Sequence, residues 1–495
     1  MEVSTPERDG RPRRAAFFTL GCKVNQQETA ALQELFRERG YEIVEFDGPA
    51  EVYIINTCTV THLADHKSRQ MIRRAASRRP PGAVTAAVGC YAQTAPEQVL
   101  SLGVDVLVGT QDRGRIVDLV ERAASRKAGD AASAAPGKTE AIVDGGREIF
   151  NAVVPLSTLA GFEELPLPRP RNRTRAFLKI EDGCDQFCSY CIVPLARGRV
   201  RSLRPESVRM RLEELLAAGF REVVLTGVHT SAYGRDLAGG INLAGLLRLL
   251  LQQVSGEFRL RLSSVEPAEV TDELLDVLAS PRICRHLHLP LQSGDDEILA
   301  SMGRPYRTAD YRALFNRVQE RLPGVAVAAD VMVGFPGETD LHFENTYRFA
   351  ASLPFRDLHV FKYSLRPGTR AAEMPGQVAP AAKDGRSSRL RRLADEQAAA
   401  FAGCFIGQVL PVLVERQAPD RWRPTGYNHL RSEGARLVPG GSGRVCWEGM
   451  SDNYLKIVFP SSSDSPDLQG GLVPVRIMAQ MSGDTLYGET VAVSF

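Results

Sequence analysis

The sequence predicts an α/β multidomain chain: an N-terminal parallel-sheet α/β domain, a partial TIM-like (βα)6 barrel, and a small C-terminal antiparallel β-barrel. Three observations carry this. The first third alternates short apolar runs with helical patterns. The middle repeats that alternation through six more strand-like runs, and the end carries strand patterns punctuated by Gly and Pro. At 495 residues the chain exceeds one core, and about 100 to 200 residues per domain gives three domains.

In the N-terminal domain, set at 14–122, the runs AAFFTLGC (Ala15 to Cys22), EVYIINTC (Glu51 to Cys58) and AVTAAVGC (Ala83 to Cys90) each end in a cysteine. Helical patterns at Glu28 to Arg39 and Lys67 to Arg78 lie between them, and a last strand, Val104 to Gly109, has no cysteine. Ligands of parallel sheets sit beyond the carboxyl ends of the strands, so three such cysteines would converge. The stretch 123–170 reads as a linker, rich in Ala, Ser, Gly and Lys and then in proline. The barrel is placed at 171–400, with strands AFLKIED, EVVLTGV, RLRLSSV, HLHLPLQ, VAVAADVMVGF and DLHVFKYS, and closes on a basic helical stretch, Lys383 to Ala400. The final β region, 404–495, contains QVLPVLVE, NYLKIVF, LVPVRIMAQ and TLYGETVAVSF, with a Pro, Gly and Arg rich insertion between Arg416 and Gly443.

Hydrophobic content of 43% and charged content of 24% are those of an ordinary globular protein. Nine scattered cysteines do not form a secreted disulfide framework, so a reducing, cytoplasmic setting is expected. The charged first fifteen residues are no signal peptide, and no run of about 18 apolar residues offers a membrane span. Net charge is only +2. Basic residues nevertheless crowd one stretch: Arg169, Arg171, Arg173, Arg175, Lys179, Arg197, Arg199, Arg201 and Arg204, against Glu181, Asp182 and Asp185. Such a stretch would meet a polyanion or form a solvated rim.

Cys184, Cys188 and Cys191 form C-x3-C-x2-C after the first barrel strand. Chance gives this spacing in roughly three chains per thousand at this cysteine frequency. A structural zinc site needs four ligands, and no local Cys or His completes one. Three thiolates on a 4Fe-4S cluster leave one iron open to an amino-carboxylate chelator such as S-adenosylmethionine (SAM).

The run GCDQFCSYCIVPLARGRVRS, with Tyr190 before the third cysteine, resembles the cluster loop of the radical SAM superfamily, and CIVP followed by ARG and RS resembles its methylthiotransferase branch. After RS, where that branch carries a second Arg, this chain has Leu203 and then Arg204. The resemblance implies a cluster on Cys184, Cys188 and Cys191 that reduces SAM to a 5′-deoxyadenosyl radical. It also implies that Thr226, His229, Ser263, Glu266, Gln292 and Asp330, in LTGVHT, LSSVEP, LPLQSG and DVMVGFPGET, lie near SAM or the substrate. Each of those short motifs also reads as strand-end turn chemistry, and His286 and His288 read as packed or hydrogen-bonded residues.

Cys22, Cys58 and Cys90, in TLGCKVNQ, INTCTV and VGCYAQ, resemble the ligands of a second 4Fe-4S cluster in the amino-terminal methylthiotransferase domain, with Asn25 and Asn56 in the same patterns. The implied division is that one cluster makes the radical and the other holds the transferred sulfur. Taken singly, each of these cysteines also reads as a buried, inert residue.

VLVE, GMSDNYLKIVF and LYGE resemble a TRAM domain, a small RNA-binding barrel, and Tyr427, Tyr454, Lys456 and Arg476 are available to RNA. TLGCKVNQ, TCTVT and VGCYAQT look most like the branch acting on N6-threonylcarbamoyladenosine in tRNA. The implied reaction adds a methylthio group to carbon 2 of that base, with a tRNA anticodon arm and an electron donor protein as partners. The alternatives are isopentenyladenosine in tRNA or a ribosomal protein as substrate, a TRAM-bearing RNA methyltransferase, and a metal-stiffened RNA-binding protein without catalysis. The methyltransferase would need a glycine-rich Rossmann motif, which is absent from the sequence.

Overall fold

The computed structural model describes residues 12–129, 140–144, 147–159, 161–168, 173–419, 444–462 and 467–491. Strands β1 (Arg14–Thr19), β2 (Glu42–Val44), β3 (Val52–Thr57), β4 (Val84–Gly89), β5 (Val106–Val108), β6 (Glu140–Asp144) and β7 (Arg147–Ala152) form one sheet, ordered β2-β1-β3-β4-β5-β7-β6. All neighbours are parallel except β6 and β7. Every residue of VYIINT and VTAAVG is buried, as a sheet covered on both faces requires. One face packs on Ala31, Leu32 and Phe36, the other on Met71, Ile72 and Ala75. β1, β3 and β4 are adjacent, so the three cysteines that follow them sit side by side.

The stretch read as a linker, 123–170, is not one throughout. The helix Ile116–Lys127 runs past its start, and β6 and β7 extend the sheet beyond β5. The physical reason is Ile149 and Phe150, which bury themselves in the sheet's two cores although the composition just before them is that of a linker.

The second domain contains β8 (Arg175–Lys179), a small hairpin of β9 (Glu181–Asp182) and β10 (Arg201–Ser202), then β11 (Glu222–Thr226), β12 (Arg259–Leu262), β13 (His286–His288), β14 (Ala326–Val333) and β15 (Asp357–Lys362). β8, β11 and β12 pair in parallel, as do β13, β14 and β15, and bridges Leu260 to Ile283 and Ser264 to His288 join the two sets. All six expected barrel strands are present, in an open, all-parallel arc. Its outer face is sealed by helices through Leu212, Leu246, Leu250, Phe315 and Leu390. Along β15, Leu358 and Val360 are buried while Asp357, His359 and Phe361 alternate with them and are not. That period of two marks the face turned to the open lumen.

The basic stretch forms the helix Pro380–Gly403. It leads to β16 (Val409–Gln417), β17 (Arg444–Ser451), β18 (Lys456–Ser462), β19 (Leu472–Ser482) and β20 (Thr485–Thr490), a closed TRAM-like barrel in the order β16-β17-β18-β20-β19. It is not wholly antiparallel, because β18 and β20 pair in parallel. Most of the Arg416 to Gly443 insertion, with Tyr427, lies outside the described residues. Among the described residues no helix is long and apolar enough to cross a membrane.

Candidate functional site

The loop after β9 carries the C-x3-C-x2-C run. Gly183, at φ +94°, opens it; a Cβ there would lie 1.9 Å from the Arg199 carbonyl oxygen, so only glycine lets the two segments close. The Cys184 amide donates to Gly198 O at 3.0 Å, and the Cys191 amide to Cys188 O at 3.0 Å. None of the nine cysteines is in a disulfide. His229 Nδ1 lies 3.5 Å from Cys184 Sγ, and Arg304 Nη1 donates to Cys188 Sγ at 3.3 Å. Burial, reinforced by the neighbouring thiols, pushes Cys184 and Cys191 up to about 12. Clustered buried thiols of this kind become thiolates when a cation binds them.

The N-terminal triplet is built from strand ends. Gly21 has φ +107°, and a Cβ on it would sit 2.9 Å from Cys58 Cβ and 3.0 Å from Cys58 Sγ. Gly89 has φ +96°, and its Cβ would strike Asn56 Oδ1 at 2.4 Å. The glycines of LGC and VGC therefore let the turns that carry Cys22 and Cys90 close against β3 and the Cys58 that follows it. Asn25 ties it together: its Nδ2 donates to Leu20 O at 2.9 Å and Thr57 O at 3.0 Å. Asn56 Nδ2 in turn donates to Asn25 O at 3.0 Å. Burial pushes Cys90 up to about 12 and raises Cys58, with Cys22 adding to both and Arg197 opposing both.

Both triplets fit iron-sulfur ligation better than a single ion. Among the described residues, the group of three potential ligands whose donor atoms all approach within 4.8 Å is His288, Asp330 and His359, not either cysteine set. Two of those three are already engaged in hydrogen bonds: His288 Nδ1 with Ser264 Oγ at 2.7 Å, and its Nε2 with Asp330 Oδ1 at 2.9 Å.

The other residues singled out from the sequence fall into three places. His229 and Glu266 border the cysteine loop: His229 Nε2 pairs with Glu269 Oε2 at 3.1 Å, and Glu266 pairs with Arg304. Thr226 and Ser263 are buried at strand ends, with Ser263 Oγ 2.7 Å from Thr230 Oγ1. Gln292 and Asp330 are adjacent through the backbone, Gln292 N donating to Asp330 O at 2.7 Å, and Gln292 holds the left-handed φ of +64°. His288 is hydrogen-bonded as expected. His286 stacks on Tyr454 with ring centres 4.7 Å apart, and burial drives its pKa well below the usual imidazole value.

Two expectations need correction. Lys179, Arg197 and Arg201 are not a solvated basic rim or a polyanion site; all three are buried in ion pairs with Asp182, and the first two also with Glu28. Tyr454 does not present its ring to RNA. It lies under the second domain, with Arg261 4.5 Å and Arg175 5.5 Å from its ring centre. Lys456 pairs with Glu448 at 3.2 Å, and Arg476 is exposed.

Sequence reasoning missed Arg304 and Glu269, which contact the site through His229, Glu266 and Cys188, and it missed Glu28. None belongs to a spaced motif, and only the fold brings them in. The two triplets face each other because the carboxyl end of the first sheet sits on the mouth of the second domain. Thr110 Oγ1 donates to Ala196 O at 2.8 Å, His62 N to Ser364 Oγ at 2.9 Å, and Arg366 Nη2 to Thr59 Oγ1 at 2.8 Å.

Residues 14–109 match the family described as Uncharacterized protein family UPF0004, and residues 178–350 match the Radical SAM superfamily. A threonylcarbamoyladenosine tRNA methylthiotransferase of Bacillus subtilis is 40% identical over 465 residues, covering 94% of this chain and 93% of that protein. One from Aquifex aeolicus is 36% identical, covering 86% and 98%. A tRNA-2-methylthio-N(6)-dimethylallyladenosine synthase of Moorella thermoacetica is also 36% identical, covering 80% and 85%. Among solved structures, the radical SAM methyltransferase TsrM of Kitasatospora setae superposes with a TM-score of 0.54 at 16% identity, over 73% of this chain and 77% of that one, a likeness of fold.

Proposed function

This chain belongs to the radical SAM methylthiotransferases, and from that premise we propose that it adds a methylthio group to carbon 2 of N6-threonylcarbamoyladenosine beside the anticodon of tRNA. The observation that carries the reading is the meeting of two cysteine triplets at the facing ends of two parallel-strand domains. In it Cys184, Cys188 and Cys191 hold the cluster that binds SAM, and Cys22, Cys58 and Cys90 hold a second 4Fe-4S cluster. When bound, the first supplies the electron that cleaves SAM and the second the sulfur that is transferred.

The chain's own residues position and insulate that chemistry. His229 and Arg304 contact two of the thiols directly, and Glu269 and Glu266 fix them in turn. Burial pushes Glu181 up to about 8, so it is a neutral acid at neutral pH, its Oε2 held by the His229 amide at 2.6 Å. The charged anion beside the buried carboxylate of Asp182 is then Glu28, which shares Lys179 and Arg197 with it. Ser264 just past β12, His288 on β13 and Asp330 on β14 form a hydrogen-bonded chain on the lumen side, a fixed polar wall for the base and for SAM. The C-terminal barrel supplies RNA contact, and an electron donor protein completes the cycle.

Anaerobic incubation of the reconstituted protein with unmodified tRNA, SAM and a reductant, followed by nucleoside mass spectrometry, tests this. The 2-methylthio derivative of N6-threonylcarbamoyladenosine is the expected product. Product only on N6-dimethylallyladenosine would transfer the assignment to the other tRNA branch, and 5′-deoxyadenosine without a thiolated nucleoside would overturn both.

A further inference from the structure

Between the two triplets lies a group of buried, mutually paired charges. Glu28, fully buried, accepts from Arg197 Nη1 at 2.8 Å and Nη2 at 3.1 Å, from Lys179 Nζ at 2.7 Å, and pairs with Arg113 at 2.7 Å. Asp182 accepts from Arg197 Nη1 at 2.9 Å and Lys179 Nζ at 2.7 Å. Arg201 Nη1 donates to Arg197 O at 2.9 Å, and Glu163 pairs with Arg113 at 2.8 Å. The group thus holds four cations and three carboxylates, one positive charge in excess, inside protein rather than water.

Its position in sequence is as telling as its charge. Asp182 lies just before Cys184, and Arg197 ends the helix Val193–Arg197 that follows Cys191. Glu28 belongs to the helix Lys23–Glu38 that begins immediately after Cys22. Arg197 Nη2 also donates to Asn25 Oδ1 at 2.9 Å, and Cys22 Sγ lies 3.6 Å from that same oxygen. One guanidinium therefore clamps the segment behind one triplet to the segment behind the other. In such a low-dielectric setting its charge acts far more strongly than at a surface.

We propose that Arg197, oriented by Glu28, is the positioning residue that couples the two cysteine triplets, and that its charge raises the reduction potential of the cluster held by Cys22, Cys58 and Cys90. The inference rests on the two-cluster reading above. A cluster on three thiolates carries net negative charge that grows on reduction, so a nearby fixed cation favours the reduced form.

The test is an EPR-monitored redox titration of the full chain, reconstituted with iron and sulfide, with the Cys184, Cys188 and Cys191 to alanine background assigning the N-terminal signal. R197Q is expected to lower that potential so that, at the wild-type midpoint, the reduced-to-oxidised ratio falls about tenfold, which is about 59 mV for one electron. E28Q, which removes an anion from the same place, is expected to shift it the opposite way. R197K keeps the charge and recovers most of the wild-type value. Opposite shifts are a signature that loosened packing would not give. If R197Q and E28Q shift the same way, or neither shifts, the inference is overturned. Should R197Q fail to retain iron, E28Q decides alone, and an unmoved potential overturns the inference. A wild-type chain with about four irons, and an alanine background with none, would instead overturn the two-cluster reading.

Discussion

Arg304 shows how much a single side chain outside any motif contributes. Its guanidinium donates to Cys188 Sγ, pairs with Glu266 and donates through Nε to Tyr306 Oη at 3.2 Å. Hydrogen bonds to cluster sulfurs tune potential, and partners of metal ligands are worth about 10- to 100-fold in activity or affinity. R304Q is accordingly expected to slow reductive SAM cleavage by about that factor while the iron remains, measured as 5′-deoxyadenosine per cluster. The cysteines themselves divide cleanly. Cys188→Ala is expected to halve bound iron, from about eight to about four per chain. Cys284 is a matched control: burial pushes it, too, up to about 12, yet it packs beside Arg261 and Arg259 at the far end of the barrel. Cys284→Ser should leave the iron count unchanged, and a loss would mean that the ligand assignment is wrong.

At the scale of elements, the turn from strand to helix is where sequence dictates the site. Gly89 holds φ +96°, and a Cβ on it would lie 2.4 Å from Asn56 Oδ1 and 2.7 Å from Thr57 O, so Gly89→Ala must displace β3 to fit. Backbone strain of this kind costs about 1 to 3 kcal/mol, and the expected result is a lowered Tm with weakened iron retention. A second element-level device is Glu222 at the start of β11. Arg259 Nε donates to it at 2.6 Å and Arg261 Nε at 2.7 Å. Burial alone would raise its pKa, but Arg261 and Arg259 override it and hold the carboxyl at about 2. A depressed folded pKa stabilises the fold above the unfolded value of about 4.3. That stability is lost as pH falls from there toward about 2. E222Q, which strands two buried guanidinium groups, should cost about 3 to 5 kcal/mol at neutral pH and flatten that part of the acid limb in thermal melts.

These elements also show what local sequence carries. The six barrel strands and the three strand-end cysteines were legible because burial on both faces writes apolar runs, as in β4 and β11, because period-two alternation marks β13 and β15, and because glycine and cysteine mark the turns. The strand β2, three residues long, has no such run. RVCWEGMS, which forms β17, breaks its alternation with a glycine, and a Cβ on that Gly449 would lie 2.3 Å from Leu413 O. The bonds from Lys179 and Arg197 to Glu28 join residues more than a hundred positions apart, and spacing carries no signal for such pairs. Tyr454 read as an RNA-facing aromatic for the same reason: its partners Arg175, Arg261 and His286 belong to three strands of another domain.

For the whole molecule, the placement of the three domains fixes the way in. The C-terminal barrel seats on the amino ends of the second domain's strands: Arg259 donates to Pro411 O at 2.8 Å and Met450 O at 2.9 Å, Arg261 to Asp452 O at 2.9 Å, and Arg285 to Asp452 Oδ2 at 2.6 Å. Tyr454 closes that end. The first sheet caps the opposite end through Thr59, His62 and Thr110. Among the described residues, the side of the arc between its two outer strands, β8 and β15, stays open, and there Phe361 is 50% exposed on the lumen face and Leu365 is 45% exposed beyond it. Large apolar side chains left in water beside a catalytic lumen suit a flipped, stacked base. Stacking is worth about 1 to 3 kcal/mol per base, so F361A is expected to raise the KM for tRNA about tenfold. Because Phe361 lies on the last strand and not at the thiols, SAM cleavage without tRNA should be unchanged, and F361W should restore binding. If F361A instead slows the tRNA-free cleavage and leaves KM unmoved, the substrate enters by another route.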